Sequence, residues 1–259
     1  MLDSITPLVI TYNEEANLAR TLEALRWAKR VVVLDSGSGD RTRQIAQGFS
    51  NVDWHERVFD HHAGQCNYAL EHLVANERFV LSMDADYIMP DALRAELAAQ
   101  TPSDQISGFR IRFRYCIGGV ALRGTLYPPR VCLYRPSQAR YRQQGHAHFL
   151  EISGSIEDLR SAMLHDDRKP QAQFGARQRH YASMEARFLR SCRWSELDWR
   201  KRVRRLLVIA PWLVPMYVLF AQGLILDGRA GWRYAYERFL AEWLIARALW
   251  RTDLKDSTT

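Results

Sequence analysis

Two carboxylates one residue apart, Asp84 and Asp86, end the apolar run Phe79-Val80-Leu81, with Ser82 and Met83 between. A buried strand that delivers paired carboxylates to its C-terminal end puts them where ligands bind in open α/β sheets. There they suit a divalent cation, Mg2+ or Mn2+, carrying a diphosphate. Solvated acidic turns produce the same Asp-x-Asp string, so the reading rests on the strand before it and on the loops that accompany it. His165, in Leu164-His165-Asp166-Asp167, follows what reads as the last strand of the domain. It is a candidate to complete the metal site or to hydrogen-bond the diphosphate, against the plainer role of a structural histidine at a domain edge.

Three strand-loop-helix units must position these groups. Leu8-Val9-Ile10 runs into Thr11-Tyr12-Asn13-Glu14-Glu15 and a helix over 15–28 with Leu18, Leu22 and Leu25 at helical spacing. Val31 to Leu34 ends in Asp35-Ser36-Gly37-Ser38-Gly39-Asp40 before a helix over 41–49. Gly37 and Gly39 free the backbone so that Asp35 and the loop amides can approach a flat ligand. A strand over 52–57 leads through His61, His62 and Gln65 into a helix over 66–75. The repetition predicts a mostly parallel sheet flanked by helices, its loops gathered at one edge.

Taken together, Val9-Ile10-Thr11-Tyr12-Asn13-Glu14-Glu15, Asp35-Ser36-Gly37-Ser38-Gly39-Asp40 and Asp84-Ala85-Asp86 resemble family 2 glycosyltransferases of the GT-A α/β fold. Phe59-Asp60-His61-His62-Ala63-Gly64-Gln65-Cys66-Asn67-Tyr68-Ala69-Leu70, and later Leu226-Asp227-Gly228-Arg229-Ala230-Gly231, are similar to the lipopolysaccharide core glucosyltransferase subgroup. The resemblance implies inverting transfer from a nucleotide-sugar donor, UDP-linked by preference, to a lipid-linked glycan. It implies that Thr11, Tyr12, Asn13, Glu14 and Asp35 surround the nucleoside, that Gln65 or Asn67 touches the donor, and that Asp84 contacts the ribose or supports a metal held by Asp86. In that subgroup a histidine followed by glutamate is expected near the acceptor, but here His146 precedes Ala147 and His148 precedes Phe149. Glu151 is the nearest carboxylate and is taken as the catalytic base; Glu157 and Asp158 stay open if their loop folds back.

Beyond the acidic strand, a helix is predicted over 90–99. Phe109, Ile111 and Phe113 then alternate with Arg110, Arg112 and Arg114, a strand with one basic face that suits phosphate or is simply half exposed. Transfer to a polyprenyl phosphate is the related alternative, and a non-catalytic nucleotide-binding membrane scaffold the alternative from another class. The 259 residues suit one catalytic domain over 1–170 and an extension over 171–259. Four scattered cysteines suggest neither zinc nor a disulfide framework, and no signal peptide is read at the N-terminus.

The net charge of +7 is concentrated: between Arg160 and Arg205 thirteen basic side chains face five acidic ones. No zinc-finger spacing or aromatic-rich RNA signature points to nucleic acid, and the neighbouring apolar stretch 206–226 points to anionic lipid. Its 21 residues have the length of a membrane span, yet Pro211 and Pro215 interrupt it. Tyr234 to Trp250 keeps charges among aromatics, as an interfacial helix does. The expectation is a peripheral or monotopic protein on the cytoplasmic face of the inner membrane. A single span and a soluble helical hairpin are the competing readings.

Overall fold

The apolar runs pair into one mixed sheet in the computed structural model, which describes residues 1–144, 147–206 and 209–256. The chain forms two units. The first comprises Met1–Cys116 and Tyr127–Arg168; the second takes Ile117–Leu126 and Lys169 onward. The excursion of Ile117–Leu126 into the second unit has no signal in composition.

Strands β1 (Ile5–Thr11), β2 (Val31–Asp35), β3 (Val52–Glu56) and β4 (Phe79–Asp84) are followed by β5 (Tyr87–Ile88) and β6 (Ile106–Ile117). After the short β7 (Val120–Ala121) come β8 (Arg130–Tyr134), β9 (Ala139–Gln144), β10 (Ala147–Ile152) and β11 (Ser155–His165). The sheet runs β3-β2-β1-β4-β8-β6-β11-β5. The strands from β3 to β4 are parallel, β8 is antiparallel to β4 and β6, β11 lies parallel to β6, and β5 closes the edge antiparallel to β11. The sheet is therefore continuously parallel in the half that carries the three strand-loop-helix units and mixed in the other.

Every residue of β2 is buried, as a central strand covered on both faces requires. Its side chains split by period two. Val31 and Val33 join Val9, Phe79, Leu81, Leu18, Leu22 and Leu93 on one face, under α1 (Leu18–Glu23) and α4 (Asp91–Ala99). Val32 and Leu34 join Leu8, Val80, Ala63, Cys66 and Leu70 on the other, under α3 (His62–Tyr68) and the π-helical turn Ala69–Leu73. Between α1 and α3 lies the short α2 (Thr42–Ala46).

α1 is much shorter than its apolar spacing predicts. Asn13 takes a left-handed φ of 52° and Asn17 closes a turn on the carbonyl of Glu14, so the helix begins late. From Leu22 the bonds tighten to an i to i+3 pattern that carries the chain to Ala28. At the far edge, β3 carries Asp53, His55 and Glu56, and Arg30 and Arg43 hold the two carboxylates at 2.7 and 2.8 Å. β9 and β10 form a separate antiparallel hairpin.

The second unit is helical: α5 (Gln171–Ser191), α6 (Trp199–Arg205), α7 (Ala210–Met216) running into a π-helical turn Tyr217–Ala221, a 3-10 turn Leu224–Asp227, and α8 (Gly228–Asp256). Ala182 and Ala186 of α5 let it approach Ile245 and Leu249 of α8 closely. Pro211 sits in the first turn of α7, where a missing N–H is tolerated, and Pro215 lies inside it. Gly223 and Gly228 adopt φ of 72° and 57°, and a Cβ on Gly231 would lie 1.8 Å from the Leu224 carbonyl oxygen. Arg123 holds the Asp227 carboxylate through its backbone N–H and Nε at 2.9 and 3.0 Å. No single described helix is long and apolar enough to cross a membrane; Ala210–Ala221 and Leu224–Trp250 pass that test only as a pair bent by 77°.

The sequence reading placed the charges of Tyr234 to Trp250 on its polar face. The structure buries Glu237 and Glu242 to 4% exposure, and leaves Tyr236, Trp243 and Trp250 exposed. Arg204 of α6 accounts for Glu242, reaching both of its oxygens at 2.8 to 3.0 Å and also pairing with Glu185 at 3.2 Å.

Candidate active site

The ends of β1 and β2 are zipped together by their loops. Asn13 tolerates its left-handed backbone because its side chain bonds locally: Oδ1 accepts from the Gly39 N–H at 2.9 Å, while its own N–H donates to Ser38 Oγ at 2.8 Å. The Glu14 N–H donates to Thr42 Oγ1 at 2.8 Å, and the Glu15 N–H to Asp40 at 3.1 Å. Burial would raise the Asp40 carboxyl, but the Thr42 hydroxyl and the N–H groups of Thr42 and Glu15 outweigh it and hold the group below the usual carboxylate range.

Asp35 is buried, and its contacts are with its own loop: Oδ2 accepts from the Gly37 and Ser38 N–H groups at 2.8 and 2.7 Å, and Oδ1 from Ser38 Oγ at 2.5 Å. The carboxylate shapes the loop, where the sequence reading expected it against a nucleoside. Gln65 is likewise enclosed, donating to Ser36 Oγ and the Arg57 carbonyl and accepting from Arg57, each at 2.9 Å. Asn67 binds both backbone groups of Tyr141, at 2.8 and 2.9 Å, and so ties the β9–β10 hairpin to α3. These three brace the site. Thr11 keeps a buried Oγ1 with no partner, and Tyr12 stands 57% exposed beside it.

The register sets Asp35 opposite Thr11 and Asp84 opposite Ile10, on the two strands flanking β1. Two residues beyond Asp84, Asp86 faces His165 across 3.2 Å between Oδ2 and Nε2, each side chain 16% exposed. A clamp fixes this pairing. The Asp166 N–H donates to the Asp86 carbonyl at 2.9 Å, and Thr21 Oγ1 to the Ala85 carbonyl at 2.6 Å. Arg20 grips Asp166 at 2.6 Å, and Asn17 bonds Glu14, Asp167 and the Arg168 N–H at 2.7 to 3.0 Å. α1, the acidic strand and the end of β11 are thus locked together.

Burial alone would lower the His165 pKa, but the Asp86 hydrogen bond and the charges of Asp86, Asp84 and Asp167 outweigh it and raise it. Tyr87, Tyr115 and Tyr127 present their rings edge-on to His165, with centroids 5.3, 4.8 and 4.9 Å away. Tyr87 and Tyr127 share a short hydroxyl contact, and Arg130 donates to the Tyr127 hydroxyl at 2.9 Å. Burial would lower the Arg130 pKa, but Tyr127, Tyr87 and Asp84 outweigh it and raise it, so the cation persists inside the protein. Arg130 and the tyrosines were missed as site residues: Tyr127-Pro128-Pro129-Arg130 reads as a turn, and only the alternation leading to Tyr115 points inward.

Asp86 Oδ1 and His165 Nδ1 are buried with no partner. Buried polar atoms are rarely left so, and a hard cation with its water and phosphate ligands fits them. Among the described residues no group of three or more His, Cys, Asp or Glu is gathered around one point. Asp86 and His165 alone would not complete a coordination shell, so the remaining positions around a cation would fall to a phosphate-bearing ligand and water.

Glu151 lies on β10, half exposed, paired with Arg142 at 2.6 Å. His146 lies outside the described residues, as does the side chain of His148. Asp158 is paired with Arg110 at 3.0 Å, and Arg112 bonds the Arg160 carbonyl. The expected basic face of β6 is thus engaged within the sheet, so Arg110 and Arg112 do not form a bare row for phosphate.

The glycosyl transferase family 2 profile matches residues 7–151. Over 170 residues the chain is 30% identical to the lipopolysaccharide core biosynthesis glycosyltransferase LpsC of Rhizobium meliloti (strain 1021). The match covers 62% of this chain and 62% of the relative, so the chain spans less than two thirds of that protein. Among solved structures it is similar to S. aureus TarS 1-349 in complex with UDP-GlcNAc, with a TM-score of 0.47, 16% identity, and 96% and 92% of the two chains covered. It is also similar to glucosyl-3-phosphoglycerate synthase from Mycobacterium tuberculosis in complex with Mn2+, UDP and phosphoglyceric acid, with a TM-score of 0.45, 16% identity, and 70% and 76% covered.

Proposed function

The chain belongs to glycosyl transferase family 2, and from that premise we propose that its GT-A-like first unit moves a sugar from a nucleotide-diphosphate donor, UDP-linked by preference, onto a lipid-linked glycan of the lipopolysaccharide core. The observation that carries the donor half is the buried pair Asp86 and His165, each with an unpartnered atom, clamped at the end of the acidic strand. The acceptor half rests on the likeness to LpsC.

In the proposed inverting reaction the acceptor oxygen forms a bond to the anomeric carbon as the bond from that carbon to the diphosphate breaks. The bonding pair leaves with the diphosphate, and the hydroxyl proton passes to a carboxylate. Asp86 and His165 would hold Mg2+ or Mn2+, which when bound offsets the charge growing on the leaving diphosphate. Arg130, held near Asp84 by the tyrosines, adds a fixed positive charge to the same region. Tyr12 offers an exposed ring for a base to stack on. Glu151 is the base proposed, and the Arg142 side chain must release it before it takes a proton.

Slow transfer to water tests the donor without knowledge of the acceptor. Nucleotide-sugar hydrolysis by the full chain should require Mn2+ or Mg2+, and Asp86→Asn should lower it at least about a hundredfold while the fold is kept, because a neutral amide is a poor cation ligand. Unchanged, metal-independent turnover in a folded Asp86→Asn protein removes Asp86 from the site.

A further inference from the structure

α8 wears its aromatic side chains outward. At 100° per residue, Trp232, Tyr236, Phe239, Trp243 and Trp250 fall within about 60° of arc. Four of them are exposed, while Phe239 is half buried and stacks on Trp243 with centroids 6.2 Å apart. Of the buried residues, Tyr234 and Ile245 lie on the opposite side, and Ala235, Glu242 and Leu249 run along one flank. Trp232 to Trp250 makes a stripe about 27 Å long at the helical rise. α7 and its π-helical turn widen it: Trp212 is 66% exposed and meets Phe239 at 5.2 Å, and Met216 and Phe220 follow at one-turn steps, also exposed. A contiguous aromatic surface of this extent is foreign to a face meant only for water.

We propose that this face of the second unit lies in the plane of an anionic phospholipid bilayer, its aromatic stripe in the interfacial layer. Tryptophan and tyrosine favour that layer because each joins a large apolar ring to one polar group. Arg229 and Arg247, both exposed, lie on the edge of the same stripe, where their apolar stems extend along it and their guanidinium groups reach headgroup phosphates. Within the same unit, eleven basic side chains against three acidic ones between Lys169 and Arg205 carry the sign that an anionic surface attracts.

An in-plane arrangement fits better than a span. The two segments reach the hydropathy and length of a span only together and are bent by 77°, while α8 carries exposed arginines on the stripe and a buried Glu242 paired with Arg204. Such charges are costly in hydrocarbon and cheap at its border. The inference rests on the second unit alone and is independent of the sugar-transfer reading.

Flotation of the full chain with vesicles tests it without any assay of turnover. Wild-type protein should float with vesicles of phosphatidylcholine and phosphatidylglycerol at roughly 3:1, and bind phosphatidylcholine alone more weakly. The triple variant W232Q/W243Q/W250Q should lose at least about tenfold in partitioning to both, since glutamine keeps the helix but removes the apolar rings. R229Q/R247Q should lose about tenfold on the anionic vesicles alone. Thermal melting checks each fold, and if the triple variant melts early, the single W243Q with a wild-type melt decides. Wild-type protein that stays with neither vesicle, or a folded variant that floats as wild type does, overturns the proposal. So does a wild-type dimer that the tryptophan substitutions split without any flotation, which would assign the face to a second copy of the chain.

Discussion

Asp35 and Asp40 bracket the loop after β2, Asp86 follows β4, and each meets a different demand. Asp35 satisfies its own turn, Asp40 joins two loops, and Asp86 keeps an oxygen unpartnered. A sequence shows that carboxylates recur at strand ends; which of them turns inward depends on amide directions set by the glycines and by Asn13. That is why Asp84, Asp86 and His165 were legible as one cluster and the loop-bracing work of Asp35 and Gln65 was not. Asp40 gives a test of the zipper through pH. Its folded-state pKa is depressed, so its contribution to stability is full above the unfolded value of about 3.9 and is lost as pH falls through the folded value. Melting temperatures between about pH 5 and pH 2 should therefore fall less steeply in Asp40→Asn than in wild type, from a lower start. Parallel acid limbs would show that the loops are held elsewhere.

Among the elements, strands were read more accurately than helices. The apolar runs of β1, β2 and β4 are buried on both faces, a pattern that needs no partner to be recognised, whereas the antiparallel insertion of β8 between β4 and β6 depends on pairing across the chain. Helix ends failed where turn chemistry competed, as at Asn17 before α1, and in the described part of 206–226 a helix starts one residue before Pro211, runs through Pro215 and turns at Gly223. The turn before α8 is the most demanding of these. Because the Leu224 carbonyl lies 1.8 Å from where a Gly231 Cβ would sit, and is backbone that cannot rotate away, Gly231→Ala should cost about 2 kcal/mol or more. Ala230→Gly, which only loosens the same turn, should cost no more than about 1 kcal/mol. Denaturant melts of the two variants check this, and equal losses would mean that the turn opens freely.

For the molecule as a whole, length and charge distribution lead to the expectation of a catalytic domain over 1–170 and a basic helical extension over 171–259, while the return of Ile117–Leu126 to the helical unit depends on contacts such as Arg123 with Asp227 that no local pattern encodes. The two ends of the large sheet carry a further consequence. Sheets recruit other copies through long, flat, apolar edge strands. Here β5 covers only Leu164 and His165 of β11, whose remaining edge is bulged after Asp158 and has its Arg160 and Ser161 N–H groups held by Glu96, and β3 ends the other side with Asp53 and Glu56 tied into ion pairs. Neither edge is a template for cross-β growth. Protein that precipitates on storage should then associate through the exposed tryptophans, redissolve in mild detergent and leave thioflavin fluorescence at baseline; a detergent-resistant, thioflavin-positive deposit would mean that the charged edge had opened.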